Sequence, residues 1–305
     1  MTDIQKRILA EVADLHAVPE GAYNIRSDGE SAGRRSTAHI EITSKTDVSG
    51  IDIRIAPGTK HESVHIPVVL SRTGHQETVY NDFFIGEGSD VLIVAGCGIH
   101  NCGGQDSRHD GVHRFYVGKN ARVRYVEKHY GEGDGQGRRI MNPGTEVYLE
   151  EGSSMEMEMV QIRGVDSTDR STKAELAAGA RLVVKERLMT HGSQRADSVY
   201  RVSLNGAGSS ADVVSRSVAR DDSYQRFDAC LTGNAPCHGH TECDSIIMDR
   251  GRILAVPQLE ANCTDAELIH EAAIGKIAGE QLIKLMTLGL TEAEAEEQII
   301  NGFLK

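Results

Sequence analysis

The chain has no tryptophan, and its 8 tyrosines and 5 phenylalanines are few for 305 residues. An aromatic-rich sandwich core is thereby disfavoured, and so is an aromatic-lined sugar cleft. Basic charge is also scarce: 33 Lys and Arg stand against 45 Asp and Glu, a formal net charge of −12. That deficit argues against nucleic acid or an anionic membrane as main partner, because both demand basic surface. No apolar run approaches the roughly 18 residues of a membrane span. The longest, Val91–Ala95, is followed at once by Gly96. The opening MTDIQKRILAEV mixes charges into its apolar positions and does not read as a signal peptide. The expected location is cytoplasmic, where the six cysteines are reduced thiols rather than a disulfide framework. No GxSxG or HExxH motif occurs. The acidic glycine stretch Gly131–Gly137 lacks both EF-hand ligand spacing and the lysine of a phosphate loop, and reads as a mobile surface loop.

Glycine, by contrast, is abundant, and much of it recurs in one phrase. An aliphatic residue is followed by a Gly or Asn turn, then Ala or Ser, then apolar residues two apart. Ile85–Ile93, Val117–Tyr125, Leu149–Met157, Leu176–Val184, Leu204–Val213 and Leu231–Cys237 all carry it. The turn residues are Gly88, Asn120, Gly152, Gly179, Gly208 and Asn234. Gly and Asn tolerate positive φ at a tight turn. Period-2 alternation, plainest at Met155, Met157 and Met159, marks strands with one buried face. A unit of about 30 residues without helical patterning predicts stacked coils, a parallel β-helix, over an antiparallel up-and-down barrel.

Helical patterns frame this core. Ile4, Ile8, Leu9, Val12 and Leu15 predict an amphipathic N-terminal helix, with Thr2 and Gln5 as its capping box. At the other end, Gly279–Leu288 predicts one helix and about 292–301 a second, opened by the capping box Thr291–Glu294 and stopped at Gly302. The expected division is a helical segment and linker over 1–35, a β-helix core over 36–278 and a helical domain over 279–305. The terminal pair is expected either to cap the solenoid or to dock a partner.

Thiols, imidazoles and carboxylates are the side chains that hold iron or zinc. Cys97, His100 and Cys102 lie within six residues and can share one ion, with Asp106, His109 or His113 as a fourth ligand. The equally good alternative is two small buried thiols at a strand end. Cys237, His238, His240 and Cys243 form a second cluster, but in an extended strand alternation sends the thiols and the imidazoles to opposite faces. Thr264–Glu267 looks like another capping box, which would put His270 and Glu271 on a solvated helix face over 265–273.

Several strings bear a resemblance to a known family: Asp110–Asn120 (DGVHRFYVGKN), Cys243-Asp-Ser, Pro257-Gln-Leu-Glu260, His270-Glu271 and Gly275–Leu282 (GKIAGEQL). Together they resemble the SufB/SufD proteins of iron–sulfur cluster assembly, in particular short SufB-like members. The resemblance spans most of the chain and is strongest over 75–305. It implies a right-handed parallel β-helix with a C-terminal helical domain, working in the cytosol with the ABC-type ATPase SufC. It implies that a transient 4Fe-4S or 2Fe-2S cluster is built at an interface between two β-helix subunits and passed to apo-protein acceptors. The SufB scaffold cysteine falls on Cys243 and the neighbouring carboxylate ligand on Glu271, with His270 beside it. SufD has a histidine where this chain has Glu271. The resemblance also places His270 on a strand, with Glu271 across from Cys243, and a homodimer would double both. Gln281, Leu282, Leu285 and Met286 become the expected docking residues for the ATPase. The implied protein is a scaffold rather than an enzyme. The alternatives are a SufD-like interaction subunit without cluster ligands and, more remotely, a β-solenoid carbohydrate enzyme using paired acids.

Overall fold

The structure, a computed structural model, describes residues 1–305 apart from 16 and 18. From Lys60 onward the chain alternates between two sheets, climbing one rung at each return. The first sheet stacks Glu30–Arg35, Ala22–Ser27, Lys60–Leu70, Asp90–His100, Arg122–Glu132, Ser154–Arg163, Arg181–Thr190, Ser209–Ala219, Cys237–Ile247 and Ala266–Gly275, in that order. The second runs from Ile40–Ser44 through Gly50–Ile55, Gln76–Ile85, Ser107–Val117, the short pair Arg139–Met141 and Gly144–Leu149, Ser167–Leu176, Arg195–Leu204 and Tyr224–Gly233 to Arg252–Ala261. Antiparallel pairing is confined to the N-terminal end, at Ala22–Ser27 with Glu30–Arg35 and at Ile40–Ser44 with Gly50–Ile55. The successive rungs are otherwise parallel, which excludes the barrel and gives a β-solenoid of about 8 turns.

Alternation is the physical cause. Met155, Met157 and Met159 point into a core at no more than 1 % exposure, while Glu156 faces out. The corner residues Gly88, Asn120, Gly152, Gly179 and Gly208 take φ between 56° and 72°, as their types allow. Asn234 is not among the left-handed residues. Its amide instead joins a ladder, donating to Asn205 at 2.8 Å and accepting from Asn262 at 2.9 Å.

Helix α1 (Asp3–Ala13) carries the expected Thr2–Gln5 capping box and lies across the first sheet. Ile8, Leu9 and Val12 pack there beside Ile25 and Val69. Gly96 and Gly98 make that approach possible, since a Cβ on either would overlap the Val12 carbonyl or Ile8 Cγ2. The stretch after Gly131 is stacked rather than free: Gly135 donates to the Asn101 carbonyl at 3.1 Å and Gly137 to that of Gly103 at 2.9 Å.

Helix α2 (Gly279–Met286) and helix α3 (Glu292–Phe303) form the tail. The Thr291–Glu294 capping box is present, but α3 continues past Gly302. Ile300 and Leu304 settle beside Val218 on the flank of the solenoid. The tail therefore does not cap the stack. The final rungs Arg252–Ala261 and Ala266–Gly275 stay largely exposed, with Leu254, Leu259, Ile269 and Ile274 turned partly to solvent. Among the described residues no helix is long and apolar enough to cross a membrane.

Candidate functional site

The last two rungs of the first sheet hold the residues singled out at 237–243 and 270–271. The Thr264 capping-box reading fails, because Ala266–Gly275 is a strand templated by the open backbone of Cys237–Ile247. Thr241 pairs with His270, Glu242 with Glu271, and Cys243 with Ala272. In a parallel in-register pair, opposite residues share a face and neighbours along the strand alternate. Cys243 and Glu271 are therefore one residue out of step and look in opposite directions. The expectation that they lie side by side is corrected to adjacent strands and opposite faces.

On the inner face, Cys237, Thr241, Cys243 and Ser245 are buried. His270 shares that phase, its Nδ1 lying 2.6 Å from Thr241 Oγ1. Cys243 is 1 % exposed, with its sulfur 3.7 Å from Ser245 Oγ, which lies 2.9 Å from Ser217 Oγ. Burial pushes the Cys243 thiol up to about 11 against the hydrogen bond from Ser245. In this arrangement it is a protonated, covered thiol.

On the outer face, His240, Glu242 and Glu271 present ligand atoms that all lie within 4.8 Å of one another. His240 Nδ1 meets Asp212 Oδ1 at 2.8 Å, and its Nε2 meets Glu271 Oε2 at 3.4 Å. Burial would lower the His240 pKa, but Asp212 and Glu271 raise it. His238 points outward toward Glu267 at 3.6 Å. The sequence cluster 237–243 is thus divided by the sheet, with thiols inside and imidazoles outside.

The Cys97 trio separates in the same way. Cys97 is buried, while Cys102 is exposed with Sγ 3.1 Å from His100 Nε2. The other nitrogen of His100 lies 3.1 Å from Glu132, which also accepts from Arg7 of α1 and from Tyr130. Among the described residues no third ligand atom joins His100 and Cys102 closely enough to share an ion with them. Asp106, one proposed fourth ligand, is occupied by Arg138 at 2.8 Å. His109 faces Cys97 instead.

Reading outward positions missed a file of charge inside the solenoid. His109 Nδ1 lies 3.0 Å from Glu77 Oε1, and burial raising the Cys97 thiol is outweighed by His109 and His129, which bring it to about 7. His129 Nε2 is 3.6 Å from Glu127, Arg170 Nη1 is 2.6 Å from Glu127, and Arg170 Nε is 3.6 Å from Glu186. Glu186 also accepts from Ser198, Tyr200 and Ser215. Ser215 is the register partner of Cys243, so the file ends beneath that thiol. The signal was available: Glu127 continues the apolar phase Val123, Tyr125 at a position that faces inward.

Of the expected docking residues on α2, Gln281 and Met286 are exposed while Leu282 and Leu285 are half-buried. Ile283 and Leu288, which the helical pattern did not single out, are the most exposed apolar side chains there, at 63 % and 76 %.

Comparison with known proteins gives this geometry a context. Residues 72–303 match the family model described as "SUF system FeS cluster assembly, SufBD core domain". An iron-sulfur cluster assembly SufBD family protein of Archaeoglobus fulgidus is 31 % identical over 264 residues, covering 85 % of this chain and 69 % of the relative. One from Methanothermobacter thermautotrophicus is 32 % identical over 268 residues, covering 85 % of this chain and 63 % of the relative. A third, from Pyrococcus horikoshii, is 30 % identical over 294 residues, covering 92 % of this chain and 86 % of the relative. This chain thus spans less than two thirds of some relatives and most of others. On the strength of the family match and these relatives, the chain belongs to the SufBD family of iron–sulfur cluster assembly proteins.

Proposed function

We propose that the protein is a cytoplasmic scaffold on which a transient 4Fe-4S or 2Fe-2S cluster is built, at an interface between two copies of the chain. Cys243 supplies the thiolate, with His270 and Glu271 as its neighbouring ligands. A SufC-like ATPase docks on α2 and supplies the only catalysis, and apo-proteins receive the finished cluster. One observation carries the reading: Cys243 sits one rung beneath an uncovered solenoid end, under a terminal strand that joins the exposed helix α2 through only Lys276, Ile277 and Ala278. A pull on α2 is thereby a pull on Ala266–Gly275. Displacing that strand uncovers Cys243 and frees both His270 and Glu271 from the opposite faces on which the paired register holds them. The exposed rungs offer free backbone edges and apolar side chains for a second copy. A cluster held by few thiolates and completed by nitrogen and oxygen ligands is held loosely enough to release.

A second reading, the SufD-like interaction subunit, is favoured by the inward orientation of Cys243 and its covered thiol. The two are separated by anaerobic reconstitution with iron, a sulfide source and the ATPase. A Cys243→Ser, Glu271→Ala double variant should form no visible chromophore on the scaffold reading. Wild-type yield from that variant would assign the protein to the interaction role.

A further inference from the structure

We propose that His240, Glu242 and Glu271 form a mononuclear iron(II) site on the outer face of the solenoid, loaded without any thiolate. The assembly reading supplies only the identity of the ion; the site stands on its own geometry. The three side chains come from two adjacent rungs, with Glu242 and Glu271 directly opposite in the register and His240 on the same face two residues before Glu242. Around an ion bound at about 2.1 Å, ligand atoms stand roughly 3–3.4 Å apart. The 3.4 Å between His240 Nε2 and Glu271 Oε2 already matches one edge of such a polyhedron, and Glu242 reaches within 4.8 Å of both.

Asp212 is the independent observation. Its carboxylate can only accept, so the proton of neutral His240 belongs on Nδ1, 2.8 Å from Asp212 Oδ1. That leaves the Nε2 lone pair turned toward the carboxylates. A carboxylate fixing the far nitrogen is the usual support of a metal-bound histidine. The two glutamates otherwise face each other as like charges on neighbouring strands, an arrangement that costs stability unless a cation lies between them. Asp244 adds a third carboxylate beside Glu242, and among the protein's own cations Arg216 and His240 are the ones that act on Glu242.

The donor set defines the ligand class. One imidazole and two carboxylates suit a borderline divalent ion such as iron(II) or manganese(II), and disfavour soft ions that want thiolate. Glu271, with 66 % of its side chain exposed, leaves the site open for water ligands and exchange. Cys243, on the opposite face, takes no part. Glu271 is thus the ligand common to this outer site and to the displaced arrangement in which it turns toward Cys243.

The test is anaerobic titration of the full chain with iron(II) alone, without sulfide or ATPase, followed by calorimetry and by manganese(II) electron paramagnetic resonance as a probe of the same site. One ion per chain is expected, equally in wild type and in Cys243→Ser. His240→Ala and Glu242→Gln should each weaken binding at least about tenfold, and Asp212→Asn about tenfold through the loss of orientation. Unchanged circular dichroism of each variant establishes that it is folded. Wild-type affinity in both His240→Ala and Glu242→Gln overturns the site, as does loss of binding in Cys243→Ser. Those failures are distinct from failure of the assembly reading, which shows instead as undiminished cluster yield in Cys243→Ser.

Discussion

Cys243 should be nearly inert in the free protein and should be released by loosening one hydrogen bond. Its thiol is pushed up to about 11 by burial, against an ordinary 9.0. At pH 7.5 that difference alone means about a hundredfold less thiolate. Access is a second barrier, because the Ala266–Gly275 strand must open locally before a reagent reaches the sulfur. The Thr241–His270 contact at 2.6 Å is one of the few side-chain links between that strand and the rung below. Replacing His270 by Ala removes an interaction worth roughly 1 kcal/mol, which raises the open population about fivefold. The assay is iodoacetamide labelling resolved by peptide mass spectrometry, with exposed Cys102 as internal reference. In wild type, Cys243 should label at least about a hundredfold more slowly than Cys102. His270→Ala should accelerate Cys243 about fivefold and leave Cys97, sealed in the middle of the stack, unchanged. Equal labelling of Cys243 and Cys102, or no response to His270→Ala, would refute the covered-thiol arrangement.

Arg170 is the only guanidinium between buried Glu127 and Glu186 among the described residues, so Arg170→Ala should lower stability by about 3–5 kcal/mol in urea unfolding; a loss under 1 kcal/mol would mean that the interior file is wetter than its burial indicates. The pH dependence has two limbs. Burial would raise Glu77, but His109 and Arg26 draw it down to about 2, so its contribution is full above pH 4.5 and is lost as pH falls toward 2. Burial would lower His109, but Cys97 and Glu77 hold it at about 10, so its contribution is full below pH 6.5 and is lost as pH rises through 10. The two are complete together between pH 4.5 and 6.5, and a Glu77→Gln variant should show a flattened acid limb in denaturant midpoints measured against pH. Removing residues 279–305 should abolish co-purification with a SufC-like ATPase; an intact complex would place the docking surface off the tail.

The solenoid was legible because its rules are local. A Gly or Asn that accepts positive φ, followed by alternating aliphatics, specifies a corner and a strand without reference to the rest of the chain. Asn234 departed because its amide ladder with Asn205 and Asn262 satisfies the corner by another route. The 264–273 segment misled for the opposite reason. Thr264 and Glu267 carry the chemistry of a helix cap, but the unpaired edge of Cys237–Ile247 is the stronger template. The site itself turned on parity. Thr241 and His270 are partners 29 residues apart, whereas Cys243 and Glu271 are separated by one fewer and so land on opposite faces. That single residue is decided by the length of the intervening corners, which alternation does not reveal. The interior charges were hidden because a lone Glu or Arg within an apolar phase looks like an exception until Glu127, Arg170 and Glu186 meet across three strands.

The central claim is that Cys243 anchors the nascent cluster, and the most direct measurement is iron and acid-labile sulfide per chain after anaerobic reconstitution with the ATPase and ATP. Wild type should hold both with visible absorption, and Cys243→Ser should lose the sulfide and the chromophore while retaining the outer-face iron. Full iron, sulfide and absorption in Cys243→Ser would contradict it.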